Sequence, residues 1–344
     1  MFNRRALLAA GLSTGLAGVA APAVGAGPGT RPVRAILLGQ SLIQQDLCTP
    51  GWPGIDAVRR RLAGADVVFT DLETAIDVPG AGSATRRGEV LHAAAPVVID
   101  CLKSLGVTMV TTANNHAWDM GSGGIMAAID ALDARHIVHA GTGRNLTTAA
   151  SAAIQHTPAG DVALVAAAAG AIRDGAAATP TRPGVAELRR LASGALDASD
   201  VARTIDSIRA ARSGGATVIF CLHNHYWEPV QAETPAWQRA FARQCIDAAA
   251  AVFVAHGTPL MQGIERYNGA PLFHGLGNFI FQTRKADDFY KAPTWTSLIV
   301  DARFRDGHFL DARLTPVTLE AGKAGGEYSQ GFPMIMTGRD QLLR

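Results

Sequence analysis

The chain has 344 residues, 48% of them hydrophobic and 17% charged. That is enough for one large α/β domain with a full core, or two closely packed ones, and it excludes a disordered or coiled-coil chain. A net charge of +2, with no Lys/Arg cluster interleaved with aromatics, gives no electrostatic footprint for nucleic acid. The basic runs Val58-Arg59-Arg60-Arg61 and Leu188-Arg189-Arg190 fall on predicted helices and read as solvated faces.

The first 26 residues read as a signal peptide. Asn3-Arg4-Arg5-Ala6-Leu7-Leu8 is a twin-arginine start, an apolar Gly/Ala-rich stretch runs from Ala6 to Ala20, and Ala21-Pro22-Ala23 and Val24-Gly25-Ala26 are small-residue cleavage sites. The stretch is short and Gly-rich, so export with cleavage is expected over a membrane anchor, giving a periplasmic or secreted protein. The chain carries 31 basic and 29 acidic residues, so loss of Arg4 and Arg5 leaves a neutral mature protein. No later stretch approaches the roughly 18 apolar residues of a spanning helix. Twin-arginine export carries folded cargo, often with its metal or cofactor already loaded.

Strand and helix signals then alternate. Val33–Gly39 is a predicted strand, Ile55–Leu62 a helix, Asp66–Thr70 a strand, Pro96–Leu105 a helix and Val107–Thr112 a strand. Gly124–Arg135 is a helix and Ile137–Ala140 a short strand. Val162–Ala168 is a strand that enters an Ala/Gly/Pro-rich loop, and residues 171–200 read as a loop near the site. Val201–Ala211 is helical, Thr217–Leu222 a strand, Pro235–Ala250 a long helix and Val252–Ala255 a strand. Beyond Gly257 come short runs, Met261–Tyr267, Pro271–His274, Ser297–Phe304 and Phe309–Thr315, two pairs of them joined by Asn268-Gly269 and Asp306-Gly307, which are hairpin signals. The pattern is an α/β body with a β-rich C-terminal part, over residues 31–320, and a C-terminal tail at 321–344. Cys48, Cys101, Cys221 and Cys245 lack CxxC spacing. They read as buried thiols, with a disulfide permitted but no pair singled out.

Four strand ends each deliver polar groups: Asp71-Leu-Glu73 after ADVVFT, Asn114-Asn115-His116 with Asp119 after Val107–Thr112, His223-Asn-His225 after ATVIFCL, and His256 after Ala251–Ala255. In open α/β sheets ligands bind at such edges. Carboxylate, amide and imidazole donors from several strand ends suit a divalent metal that activates water. Glu73 and Asp71, two residues apart in extended chain, point to one side. Glu73, Asn115, His223 and His256 are candidate metal ligands, with a loop turn, a surface carboxylate and satisfied core histidines as the alternatives. His116 is the expected general acid, Asp119 its orienting partner, and His225 a further acid/base group. Trp227, Glu228 and Trp237 are candidates for a substrate groove, with packing as the alternative, and Asn278 and His274 are expected to hold a loop beside the site.

These residues resemble the CapA-type, poly-γ-glutamate capsule synthesis family, whose fold is similar to the calcineurin-like metallophosphatases. The resemblance spans residues 35–285 and rests on Ala65-Asp-Val-Val-Phe-Thr-Asp-Leu-Glu73, Thr112-Ala-Asn-Asn-His-Ala-Trp-Asp119, Ala140-Gly-Thr-Gly-Arg-Asn145, Leu222-His-Asn-His225, Ile264-Glu-Arg-Tyr-Asn-Gly269 and Leu276-Gly-Asn-Phe-Ile-Phe281. It implies a four-layer α/β/β/α sandwich, metallophosphoesterase-like, with the site above the paired sheets. Two family features are missing. The family has Gly-Asp where this chain has Gly39-Gln40, and a final His where it has Pro259. The resemblance implies that both fall on one metal position, and since a Gln amide and a Pro ring are poor ligands for a divalent ion that site is expected to be lost while the other survives. Asp71, where relatives commonly have Asn, is a candidate to restore charge there.

The expectation is therefore an exported mononuclear metal-dependent hydrolase, with one zinc, manganese or iron ion, acting on an envelope-polymer phosphoester or amide or a small-molecule relative. The alternatives are a non-catalytic assembly factor for a capsule-synthesis machine and a metal-free acid/base epimerase on the same fold. Neither a nucleic-acid partner nor a stable membrane span after cleavage is expected.

Overall fold

The computed structural model describes residues 31–285, 289–322, 329–336 and 338–344; the predicted signal peptide, residues 1–26, lies outside them. Strand β1, Val33–Leu42, is buried at every position but one, as a strand must be when both sheet faces are covered. Helix α1, Ile55–Leu62, buries Ile55, Val58 and Leu62 along one face and sets Arg59, Arg60 and Arg61 in its last turn, where cations complement the helix dipole. Strand β2, Val67–Leu72, follows, then α2, Val97–Ser104, β3, Met109–Thr111, α3, Gly121–Asp133, and β4, Val138–Ala140. β1, β2, β3 and β4 run parallel in that order, and the intervening helices cover the outer face of their sheet through a core that includes Val58, Leu62, Ile99, Leu102 and Leu132.

The next strands start a second sheet. β5, Ala153–Gln155, β6, Val162–Ala169, α4, Ala198–Ser213, β7, Thr217–Asn224, α5, Ala236–Asp247, β8, Val252–His256, β9, Ile264–Tyr267, and β10, Ala270–Phe273, follow in sequence. Six strands pair in the order β9-β10-β8-β7-β6-β5. α4 and α5 cover the outer face through Ile208, Phe241 and Cys245 packed on Val165, Val218 and Phe253. The chain then returns to the first sheet with β11, Asn278–Thr283, β12, Thr296–Arg305, β13, His308–Gly322, β14, Ser329–Ile335, and β15, Gln341–Leu343. The first sheet thereby reaches nine strands among the described residues, in the order β11-β14-β13-β12-β1-β2-β3-β4 with β15 on β13. The segment read from sequence as a tail supplies two of these strands.

The two sheets face each other across Leu37, Phe69 and Met109 from one side and Leu164, Ile219, Val254 and Phe273 from the other. With helices outside both, the architecture is the expected α/β/β/α sandwich. Both predicted hairpin turns form. Asn268 and Gly269 have φ of 48° and 82°, and Asp306 and Gly307 have 51° and 73°, the paired positive φ of a type I′ turn, joining Tyr267 to Ala270 and Arg305 to His308. Gly39 marks where β1 changes neighbour, from β12 along Val33–Leu37 to β11 along Gln40–Leu42. A Cβ there would lie 2.6 Å from the Gly277 carbonyl oxygen and 2.9 Å from the Phe279 nitrogen, so only glycine lets the two backbones approach.

The cysteines divide. Cys48 and Cys101 form a disulfide that ties the loop after β1 to α2, and Cys221 and Cys245 are free and buried.

Candidate metal centre and active site

The C-terminal ends of β1, β2, β3, β7 and β8 meet over the seam between the sheets. Asp71, in the last turn of register of β2, is fully buried, as is His223 near the end of β7. The His223 Nδ1 edge lies 2.7 Å from Asp71 Oδ2, and its Nε2 edge lies 2.9 Å from Asn115 Oδ1 and 3.7 Å from Glu73 Oε1. Asn114 locks the other oxygen of Asp71, donating from Nδ2 to Oδ1 at 3.0 Å and to the Leu72 carbonyl at 2.8 Å. Burial pushes the Asp71 carboxyl up and the His223 imidazole down to about 3, so the ring is neutral where it meets Asp71 across the 2.7 Å contact.

Three donors of metal-binding type, from Glu73, His223 and His225, lie within 4.8 Å of one another. Donors held about 2.1 Å from one ion stand roughly 3.0 to 3.4 Å apart, close to the 2.9 and 3.7 Å separations about His223 Nε2. Glu73 Oε2 and His225 Nε2 are buried without a hydrogen-bond partner, a costly arrangement that a cation would relieve. Burial raises the Glu73 carboxyl well above its ordinary range, with Asp71 and Asp119 adding to it, and burial lowers His225. A proton on His223 Nε2 makes its Asn115 contact a hydrogen bond, and a divalent ion replaces that proton. Carboxylate, amide and imidazole donors, two of them orphaned, fit one borderline divalent ion.

Three of the four predicted ligands are brought together. Glu73, Asn115 and His223 come together as expected, but His256 does not join them. It pairs in register with His223, so both rings face the opposite sheet. There His223 meets the carboxylate of β2, whereas His256 Nε2 donates to the Leu38 carbonyl of β1 at 3.0 Å, and its Nδ1 lies 3.6 Å from Cys221 Sγ and 3.9 Å from Asp71 Oδ2. His225, expected as an acid/base group, stands in its place. Its ring stacks on His223 at 5.0 Å. Asp71 is taken up by His223, whose Nδ1 it meets at 2.7 Å, the arrangement an outer carboxylate makes with a histidine that could bind a metal.

The second position is filled. Gln40 Oε1 accepts from the Gly257 amide at 2.8 Å and Gln40 Nε2 donates to Asn278 Oδ1 at 3.0 Å. Asn278 Nδ2 in turn donates to the carbonyls of Pro259 at 3.2 Å and Thr294 at 3.1 Å. Both ends of the amide are used in bracing the loop after β8, and Pro259 offers only a ring, so these residues do not fit a second ion. Asn278 thus holds the loop as expected. His274 instead faces Glu265, 3.4 Å from Nε2, at the far side of β10.

Beside the ligand set, His116 Nδ1 lies 2.8 Å from Asp119 Oδ2, the expected partnership. Asp119 is fully buried and is surrounded by donors. Arg86 pairs with it at 2.8 Å, Arg173 at 3.0 Å, and the His92 amide donates to it at 2.9 Å. Burial raises the Asp119 carboxyl while these neighbours pull it back, and burial, reinforced by Arg86, lowers His116 well below its ordinary range. The imidazole is therefore neutral, with Nδ1–H donating to Asp119 and Nε2 on the opposite edge. The His92 ring stacks on His116 with centroids 3.9 Å apart. Arg86, His92 and Arg173 carry no strand-end signal, and sequence reasoning passed over them. The one hint was the placing of residues 171–200 near the site, from which Arg173 reaches in.

A cavity of ≈ 610 Å³ opens above, with Gln40, Glu73, His92, His116 and His225 in its floor and Trp227 in its wall. Trp237 lies elsewhere, packed edge-on against Tyr226. The remaining predicted groove residue, Glu228, is not among the lining residues.

Residues 34–283 match the family model described as bacterial capsule synthesis protein PGA_cap. An uncharacterized Sinorhizobium fredii protein, y4sH, is 29% identical over 301 residues, covering 72% of this chain and 65% of that protein. The Bacillus anthracis capsule biosynthesis protein CapA is 25% identical over 227 residues, covering 65% of this chain and 51% of CapA. A Mycobacterium tuberculosis protein named a probable polyglutamine synthesis accessory protein is 28% identical over 233 residues, covering 67% and 59%. The chain thus spans between half and two thirds of these relatives' lengths. With the sandwich fold, the strand-end motifs and a family match over most of its length, the chain belongs to the bacterial capsule synthesis, or CapA, family.

Proposed function

We propose that the chain is an exported, mononuclear metal-dependent hydrolase that cleaves a phosphoester or amide connected with an envelope or capsule polymer. The observation that carries this reading is the convergence of Glu73, His223 and His225, two of them with orphaned buried atoms, beside an Asp-backed histidine in the floor of a cavity. Glu73, Asn115, His223 and His225 would hold the ion, of the zinc, manganese or iron kind, which when bound lowers the pKa of a coordinated water toward neutrality.

The chain's own residues do the rest. Asp71 and Asn114 fix the tilt of His223. Arg86, Arg173 and the His92 amide fix Asp119, which fixes His116. His116 Nε2, neutral at rest, would accept the proton that the attacking water gives up and deliver it to the leaving group, with Asp119 stabilising the transient imidazolium. Two-ion clamping of attacking and leaving oxygens is absent from this reading because Gln40 and Pro259 occupy the other position.

Export rests on the twin-arginine start and is supported by the Cys48–Cys101 disulfide, a bond that persists in oxidising compartments. A capsule-synthesis machine is the proposed partner, on the printed names of the Bacillus and Mycobacterium relatives. Those same names, with the filled second metal position, favour a non-catalytic assembly factor as the second reading. The test is turnover of metal-loaded protein on panels of phosphoesters and amides. His116→Ala is expected to keep its metal and lose turnover by about 10²- to 10⁴-fold. A fully loaded wild-type protein that turns over nothing overturns the hydrolase and leaves the assembly factor.

A further inference from the structure

The floor of the cavity is polar, and its upper wall is not. Trp227 follows β7, Leu260 follows β8, Phe281 lies on β11, and Phe289 and Tyr290 precede the turn at Ala292–Trp295. Phe281, Tyr290 and Phe289 form an aromatic cluster, and Trp227 and Leu260 line the same cavity. Tyr290 meets Phe281 edge-on at 5.0 Å and Phe289 at 4.9 Å, and Trp227 meets the site itself through His225 at 4.7 Å. Phe289 is 59% exposed, with the Lys285 ammonium 4.8 Å from its ring centroid, at the mouth of the cavity, where apolar exposure commonly marks a ligand surface. Among the described lining residues, Lys291 is the one Lys or Arg side chain.

We infer that the site takes a small anionic phosphoester or amide carrying an aromatic or branched apolar arm, with the reacting group over His116 and Glu73 and the arm against Trp227, Leu260, Phe281 and Phe289. The inference rests on the reading of Glu73, His223 and His225 as a metal set. It separates this cavity from one built for a run of repeated carboxylates. Such a run needs an unbroken row of cations, and here Lys291 in the lining and Lys285 over Phe289 stand beside an apolar wall that would strip water from each charge without replacing it. One anionic head and one apolar arm match both the charge and the surface.

Binding rather than turnover tests this, so its outcome is independent of whether the protein is a hydrolase. Phenylphosphonate and methylphosphonate, which share a head and differ in the arm, are titrated calorimetrically into the metal-loaded protein, alongside tetra-γ-glutamate. Phenylphosphonate is expected to bind at least about tenfold tighter than methylphosphonate, the effect of burying most of one ring. Trp227→Ala should reduce that preference to under about threefold. Because the Trp227 indole also donates to the Asn224 carbonyl at 2.7 Å, the exposed Phe289→Ala serves as the variant that leaves the fold intact, and it should weaken phenylphosphonate alone. Equal affinity for the two phosphonates, no detectable binding of either, or tighter binding of tetra-γ-glutamate overturns the inference. Selective phenylphosphonate binding with no turnover on any substrate upholds it and counts against the hydrolase.

Discussion

At the residue scale the site turns on two histidines that occupy the same register and do different things. His223 and His256 sit side by side on β7 and β8, and a sequence gives them equal standing as ligands. What separates them is the strand each ring meets across the sandwich. His223 faces a carboxylate, which frees its Nε2 edge for a ligand role, while His256 spends its Nε2–H on a backbone carbonyl. Asn115, His116, Asp119 and Glu73 were legible because each lies within a few residues of an apolar strand. His225 was singled out from its strand-end position, but its place beside Glu73 and His223 was not legible, because that depends on the ring stacking back over His223. Arg86, His92 and Arg173 were illegible, since they reach the site from loops. His225→Ala should therefore abolish metal binding and His256→Ala should retain it, read by elemental analysis of the two purified variants. The reverse pattern would restore His256 as the ligand. Gln40→Leu tests the filled second position. It leaves the Gly257 amide and Asn278 Oδ1 unpaired in a buried setting, so unfolding by urea should show a loss of about 2 kcal/mol with metal content unchanged.

At the scale of elements, what the sequence revealed was decided locally. α1 forms over Ile55–Leu62 as expected because its apolar spacing is unambiguous, and both Xaa-Gly turns adopt the positive φ that fixes their hairpins. The C-terminal strands were harder. β13 runs on to Gly322 and β14 and β15 pair beside it, where Gly-rich sequence offers little periodicity and pairing is decided by a partner already in place. The disulfide was open in the sequence because pairing depends on α2 crossing near the loop after β1. Cys48 and Cys101 are 53 residues apart, and closing a loop of that size stabilises a domain by up to about 4 kcal/mol in the chain-entropy view. Cys48→Ser with Cys101→Ser should lower the stability of the folded protein by about 2 to 4 kcal/mol, measured by urea unfolding, and reductant should have no further effect on that variant. Full stability without the bond would mean that packing alone holds α2.

For the whole molecule, two sheets face to face create one seam, and the strand ends along it bring residues separated by 152 positions, Asp71 and His223, into contact. No helix among the described residues is long and apolar enough to cross a membrane. Gln40 and Asn278 make one half of this seam a brace between β1, β11 and the loop after β8, and the other half offers the candidate donors for the proposed single ion. The most direct test of this is the metal stoichiometry of the purified wild-type protein, by elemental mass spectrometry after reconstitution with zinc, manganese or iron and removal of loosely bound ions. About one ion per chain is expected. No ion would contradict the metal centre altogether, and two per chain would contradict the closure of the second position.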